Sequence, residues 1–204
     1  MLGKDLSKKQ KIAIVGAVLL GVIAILNFGF FWANIKFIFF KPPAESQQST
    51  QTPGSQAENK IEPNTLIINS LGIKAPVIYP TERSEAAYQE ALIDGVAHYP
   101  ETALPGEKGN CYIFGHSSDY FFSKGHYKNI FAVLPKIKIG AEIIISGADG
   151  SAFVYTVTES RRVAANDLSV LDQQNYQRKL LTLQTSYPLG TALARWVIVA
   201  EEKP

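Results

Sequence analysis

Three short segments of this 204-residue chain hold side chains able to take part in a reaction. Pro105 to His116, PGEKGNCYIFGH, ends in an imidazole, which changes charge near neutral pH and can move a proton. Thr182 to Ser186, TLQTS, ends in a hydroxyl, which attacks a substrate only after giving its proton to a base. Arg195 opens the last apolar run and supplies a permanently charged fork of hydrogen-bond donors. Singly, each has an ordinary role. A lone histidine is usually a surface or hydrogen-bonding residue, a serine ahead of a Pro-Gly loop is usually a turn residue, and an arginine at a strand start pairs with a carboxylate or is solvated. Their weight comes from being placed together, and that depends on the elements that carry them.

Those elements are short and punctuated like those of a β domain. Thr65 to Ile68 (TLII) and Pro76 to Tyr79 (PVIY) are strand candidates flanked by Asn, Gly and Pro. Tyr112 to Phe114, Glu142 to Ser146 and Phe153 to Glu159 are further strands. The last of these alternates Phe153, Tyr155, Val157 against Val154, Thr156, Thr158. Two final strands, Leu180 to Thr185 and Arg195 to Glu201, flank a loop that contains Pro188 and Gly190. Ser84 to Leu92 reads as a helix with Ser84 as its N-cap, and Asn129 to Leu134 as a short helical connector ended by Pro135. Seven or eight strands with two short helices predict an all-β domain, a closed or nearly closed barrel of about eight strands.

Ahead of this domain lie two segments of different character. Ile12 to Ala33 is apolar throughout except Asn27, and roughly 20 such residues span a bilayer. Lys4, Lys8, Lys9 and Lys11 against Asp5 put a net +3 before it, which predicts an inside N-terminus and an outside domain. Lys41 to Asn59, KPPAESQQSTQTPGSQAEN, has no apolar residue larger than Ala and reads as a disordered tether. The expected organisation is therefore a cytoplasmic 1–11, a transmembrane helix over 12–33, a juxtamembrane segment and linker over 34–60, and a folded domain over 61–204. From Ile61 onward thirteen Lys and Arg face fifteen Asp and Glu, a net −2. A nucleic-acid binder usually shows a basic stripe on its folded domain, and none is present.

Taken together, the three segments resemble the sortase family over most of Ile61 to Val199. In sortases a strand carries Thr-Leu-x-Thr-Cys, a loop and an arginine on the last strand follow, and a Gly-His pair stands at an earlier strand end. Here TLQTS, the loop YPLGTALA, Arg195 with Trp196-Val197-Ile198-Val199, and FGH at 114–116 fill those places in that order. The stretch GVAHYPETALPGEKGN at 95–110 is similar to the one that precedes the sortase histidine. The resemblance implies a membrane-anchored transpeptidase that cleaves a sorting signal such as Leu-Pro-x-Thr-Gly and joins the acyl group to an amine of the cell envelope or of a pilin. Its partners would be sorting-signal-bearing surface proteins or pilins, the amine acceptor and the lipid bilayer; no cofactor and no metal are implied. His116 would stabilise a thiolate and protonate the leaving amine, Arg195 would hold substrate backbone and the oxyanion, and Thr185 would help to orient the substrate.

At the nucleophile the pattern departs, because Ser186 stands where the resemblance calls for cysteine. A cysteine with a pKa near 8.5 can be held as thiolate by neighbouring cations, whereas a serine must lose its proton during attack. Arg195 beside His116 is expected to lower the basicity of the imidazole. Ser186 therefore predicts a slow enzyme or an inactive one. It is either an introduced replacement that traps substrate or a natural serine, and a cleft that binds sorting signals or pilin subunits without cutting them is the alternative function. Cys111, the single cysteine, cannot substitute. Strand alternation turns it away from His116, and five residues at about 3.3 Å set the two roughly 16 Å apart along the chain. His98, His116 and His126 fit no zinc spacing. Glu101, Glu107 and Asp119 are read as a solvated loop face in preference to a calcium site.

Overall fold

Runs of β-branched and aromatic residues between Gly, Pro and Asn wind into eight strands that close on themselves. The computed structural model describes residues 7–26, 61–119, 123–173 and 177–203. In chain order the strands are β1 (Thr65–Ile68), β2 (Ile73–Ile78), β3 (Val96–His98), β4 (Gly109–Phe114), β5 (Glu142–Ser146), β6 (Ala152–Ala164), β7 (Lys179–Tyr187) and β8 (Ala194–Glu202). Around the barrel they run β1-β2-β3-β4-β7-β8-β6-β5, with β5 pairing back onto β1. Most neighbours are antiparallel, but β2–β3 and β4–β7 are parallel. The β4–β7 pair joins segments about seventy residues apart and lays the histidine segment beside the serine segment.

Period-two alternation sorts each strand into a face for the barrel interior and a face for the outside. Leu66, Ile68, Cys111, Ile113, Ile143, Ile145, Tyr155, Leu181, Leu183 and Ile198 fill the interior and are almost fully buried. On the outer side, Tyr112, Val163, Val170 and Val197 form a second buried cluster, with Tyr99, Phe114, Leu171 and Val199 against it. That cluster lies beneath the β6–β7 connection, where Leu168–Leu171 makes one 3-10 turn. Asn110 holds the connection down. Its Nδ2 donates to the Val170 carbonyl at 3.0 Å, its Oδ1 accepts from Thr182 Oγ1 at 2.7 Å, and its backbone exchanges two bonds with the Gln173 amide at 3.1 and 2.9 Å.

Two helices of at least ten residues are described. α1 (Lys8–Leu26) starts before the expected Ile12, because Ser7 and Gln10 cap each other's backbone N–H groups and draw the lysines into the first turn. No helix among the described residues is long and apolar enough to cross a membrane. Residues 27–33 of the expected span, and the linker over 34–60, lie outside the described residues. α2 (Glu85–Asp94) is capped by Ser84, whose Oγ accepts from Ala87 N–H at 3.2 Å, as its sequence foretold.

Elsewhere the boundaries differ. The connector expected over 129–134 is a series of turns followed by a 3-10 turn at Leu134–Lys136, with Pro135 at its start, where a missing N–H costs nothing. Strand β6 continues past Glu159 to Ala164 through Ser160, Arg161 and Arg162, and its register against β8 shifts between Val157 and Glu159.

Candidate active site

Ser186 and Arg195 are direct partners across the antiparallel pair β7–β8. Opposed residues of such a pair share a face, with Cβ atoms roughly 5 Å apart. Alternation decides which face. Leu181 and Leu183 point into the barrel, so Gln184 and Ser186 turn outward. His116 arrives from the neighbouring strand, two residues past the end of β4. All three line one open cleft of about 770 Å³, walled by α2, the outer aromatic cluster and the β6–β7 connection.

The backbone around His116 is tied at three points. Gly115 N–H donates to the Gln184 carbonyl at 3.1 Å, Thr185 Oγ1 donates to the Gly115 carbonyl at 2.8 Å, and the His116 carbonyl accepts from Phe131 N–H at 3.0 Å. Gly115 is required by space, since a Cβ there would lie 2.8 Å from the Phe131 ring and 3.0 Å from Val96. Thr185 is buried and its hydroxyl is spent on this tie. It faces inward beside the segment that carries His116, belongs to the lining of the cleft, and ties the ends of β4 and β7 together. A further bond, Gly190 N–H to Ser118 Oγ at 3.0 Å, joins the loop after Ser186 to the segment after His116.

Electrostatics set the state of the imidazole. Burial pushes the His116 pKa down, the Asp119 carboxylate pulls it up, and burial wins. The lowering expected from the sequence is present, but its cause is desolvation and not the like charge of Arg195. A neutral imidazole is the form that accepts a proton. The Arg195 guanidinium donates through Nη1 to the carbonyls of Ala192 and Ala194, both at 3.1 Å, which leaves Nε and Nη2 without a partner among the described residues. No hydrogen bond joins Ser186 Oγ to His116 or Arg195 among the described residues. A hydroxyl, a neutral base and a half-committed guanidinium in one cleft are the parts of an acyl transfer.

Part of the cleft went unnoticed in the sequence. Tyr88, Tyr99, Tyr112 and Phe114 form an aromatic wall, with Tyr88 edge-on to Phe114 at 5.2 Å and Tyr99 edge-on to Tyr112 at 5.9 Å. Alternation along β4 puts Tyr112 and Phe114 on the His116 side, and this is the signal that the sequence offers. Tyr112 also donates its phenol proton to Gln184 Oε1.

The metal candidates are dispersed. His98 is buried and bonded to the Ala103 carbonyl and Thr102 Oγ1, each at 3.0 Å. Glu101 pairs with Arg83 at 2.7 Å, and Glu107 accepts from Leu104 N–H at 2.9 Å. Among the described residues no three such side chains converge. Cys111 is 1% exposed inside the barrel, and burial pushes its thiol well above the ordinary range.

Comparison with known proteins agrees with this fold. The family model of the sortase domain matches residues 66–203. Sortase D of Bacillus subtilis (strain 168) is 25% identical over 169 residues, which cover 78% of this chain and 76% of that protein. Among solved structures, the Clostridium perfringens Sortase D5 transpeptidase superposes with a TM-score of 0.56 at 24% identity, covering 69% of this chain and 78% of that one. Sortase C2 of group B Streptococcus Pilus Island 1 gives a TM-score of 0.57 at 22% identity over 69% and 73% of the two chains.

Proposed function

This chain belongs to the sortase family, and on that premise we propose that it cleaves a sorting signal of the Leu-Pro-x-Thr-Gly type and transfers the acyl group to an amine. The acceptor amine belongs to the cell envelope or to a pilin subunit; the likeness in fold to a sortase of a pilus island supports the second. One observation carries the reading: Ser186 and Arg195 are cross-strand partners in the cleft that His116 also lines.

Residue 186 attacks the threonyl carbonyl. With serine there, His116 takes the hydroxyl proton as the Oγ–C bond forms, and Arg195 donates to the oxyanion. When the C–N bond breaks, His116 returns the proton to the leaving amine and an ester remains. An incoming amine then attacks the ester, its proton passes by way of His116 to Ser186 Oγ, and the new amide departs. Serine makes this slow, because no carboxylate among the described residues hydrogen-bonds His116 in the manner of a serine triad. A second reading, a cleft that binds sorting signals without cutting them, is favoured by the missing Ser186–His116 bond.

The N-terminal helix anchors the domain in a bilayer, with residues 1–11 inside and 61–204 outside. Support comes from Ile12, Val15, Val18 and Leu19, each more than half exposed on α1, and from the lysines at its start.

Ser186→Cys tests the reaction. It should create or sharply raise transpeptidation of a sorting peptide, with a thioester visible by mass spectrometry after acid quench. Both His116→Ala and Arg195→Ala in that background should abolish most of the gain. Loss of one oxyanion donor costs on the order of 10²–10³ in rate, and the Arg195 effect should reach that size. A cysteine form that binds peptide but never forms thioester would replace the enzyme with the binding reading.

A further inference from the structure

The floor of the cleft carries a polar group that the acyl transfer does not use. Gln184 lies two residues before Ser186 on β7, on the same outward face, and is half-buried. Tyr112 OH donates to its Oε1. This phenol has no other acceptor among the described residues, and burial pushes its pKa well up, so it keeps the proton it donates. The bond fixes which end of the Gln184 amide faces Tyr112. The other end, Nε2, meets no partner among the described residues and is left as a donor.

One more group nearby is unspent. Ser117 Oγ lines the same cleft, is shielded from solvent, and has no hydrogen-bond partner among the described residues. Ser117 as a whole is only 4% exposed. Buried polar atoms in native proteins are nearly always paired, and exceptions call for a functional explanation. Around them the wall is apolar or aromatic, with Leu92, Phe114, Val170 and Leu171. An apolar slot with a few oriented polar groups is the ordinary construction of a site that selects its ligand.

Resting on the reading of this cleft as a sorting-signal site, we propose that Gln184 reads a hydrogen-bond acceptor on the variable residue of the signal. The cleft then prefers a side-chain carbonyl or carboxylate (Asn, Asp, Gln or Glu) at x over an apolar side chain of the same shape. Reach and side-chain chemistry together select that residue. Gln184 and Ser186 are about 7 Å apart along β7, the span of two residues of extended peptide. The two residues before the threonine in Leu-Pro-x-Thr-Gly are x and proline, and proline has no acceptor side chain. Tyr112 is the positioning residue, because it holds the amide in the donor-outward orientation.

Binding tests this without requiring turnover. Fluorescent peptides Leu-Pro-x-Thr-Gly with x as Asn, Asp or Leu are titrated into the unmodified protein and followed by anisotropy. Asn and Leu are nearly isosteric, so their ratio isolates the hydrogen bond. Asn should bind about 3- to 10-fold tighter than Leu, as a neutral hydrogen bond implies, and Asp more strongly still. Gln184→Leu should reverse the preference, and Gln184→Glu should turn it against Asp. Tyr112→Phe frees the amide to present either end and should shrink the Asn-to-Leu ratio toward one. Circular dichroism confirms that each variant is folded. Equal binding of Asn and Leu, or a preference that survives in Gln184→Leu, overturns the proposal alone. No binding by any peptide overturns the sorting-signal reading and this proposal with it.

Discussion

His98 and His116 both sit where burial disfavours their charged forms. For His98 the Ala103 carbonyl and Glu107 act in the opposite sense, and for His116 Asp119 does, without cancelling the effect. The consequence has a definite sign. Each folded-state pKa lies below the ordinary 6.5, so the unfolded chain binds more protons in that range. Stability is full above about pH 6.5 and is lost as pH falls through the folded pKa values. Thermal melts should therefore show Tm falling between pH 7 and 5, with a shallower fall in His98→Gln and in His116→Gln. A melt that holds steady over that range, or falls as steeply in both variants as in the unmodified protein, would remove burial of the histidines as the cause. Much of this residue scale was readable in advance. The order of His116, Ser186 and Arg195 along the chain singled them out, and the structure sets all three on one cleft, while strand alternation separates Cys111 from them. The task of Thr185 was not readable, because its partner, the Gly115 carbonyl, is seventy residues away and is brought near only by parallel pairing.

The element that most shapes the cleft is the β6–β7 connection, and a buried asparagine side chain helps to fasten it. Asn110 is 6% exposed and bonds both Val170 and Thr182. Asn110→Ala leaves a buried carbonyl and a buried hydroxyl unpaired, at a cost of about 1–3 kcal/mol. The expected result is a lower urea midpoint and a weaker Kd for sorting peptides, because Val170 and Leu171 line the cleft. The turnover of the Ser186→Cys form should change less than its KM. An unchanged Kd with reduced stability would separate the anchor from the site. Short apolar runs bounded by turn residues, such as β1 and β5, were legible to the residue. Strand β3 was not, since three residues between a helix and a Tyr-Pro turn carry no period. The end of β6 was missed for another reason. Ser160 is half-buried and Arg161 and Arg162 are exposed, so hydropathy falls while pairing with β8 continues.

At the scale of the whole molecule, the arrangement proposed is a folded domain held outside a membrane by a helix that begins at Lys8. Protease added to intact cells should then remove the domain and leave a small membrane-bound fragment; full protection would reverse the orientation. The barrel presents no free edge, since β5 closes onto β1, and it needs no disulfide, since the only cysteine is free and interior. That last feature gives the molecule a counting property. In the Ser186→Cys protein one thiol would stand in the open cleft and the other would stay sealed behind the strands. A maleimide of known mass should add once to the native protein and twice after denaturation. The second addition, followed over time without denaturant, becomes a clock for how often the closed barrel opens. Two rapid additions to the native form would mean that the interior admits solvent far more freely than its packing allows.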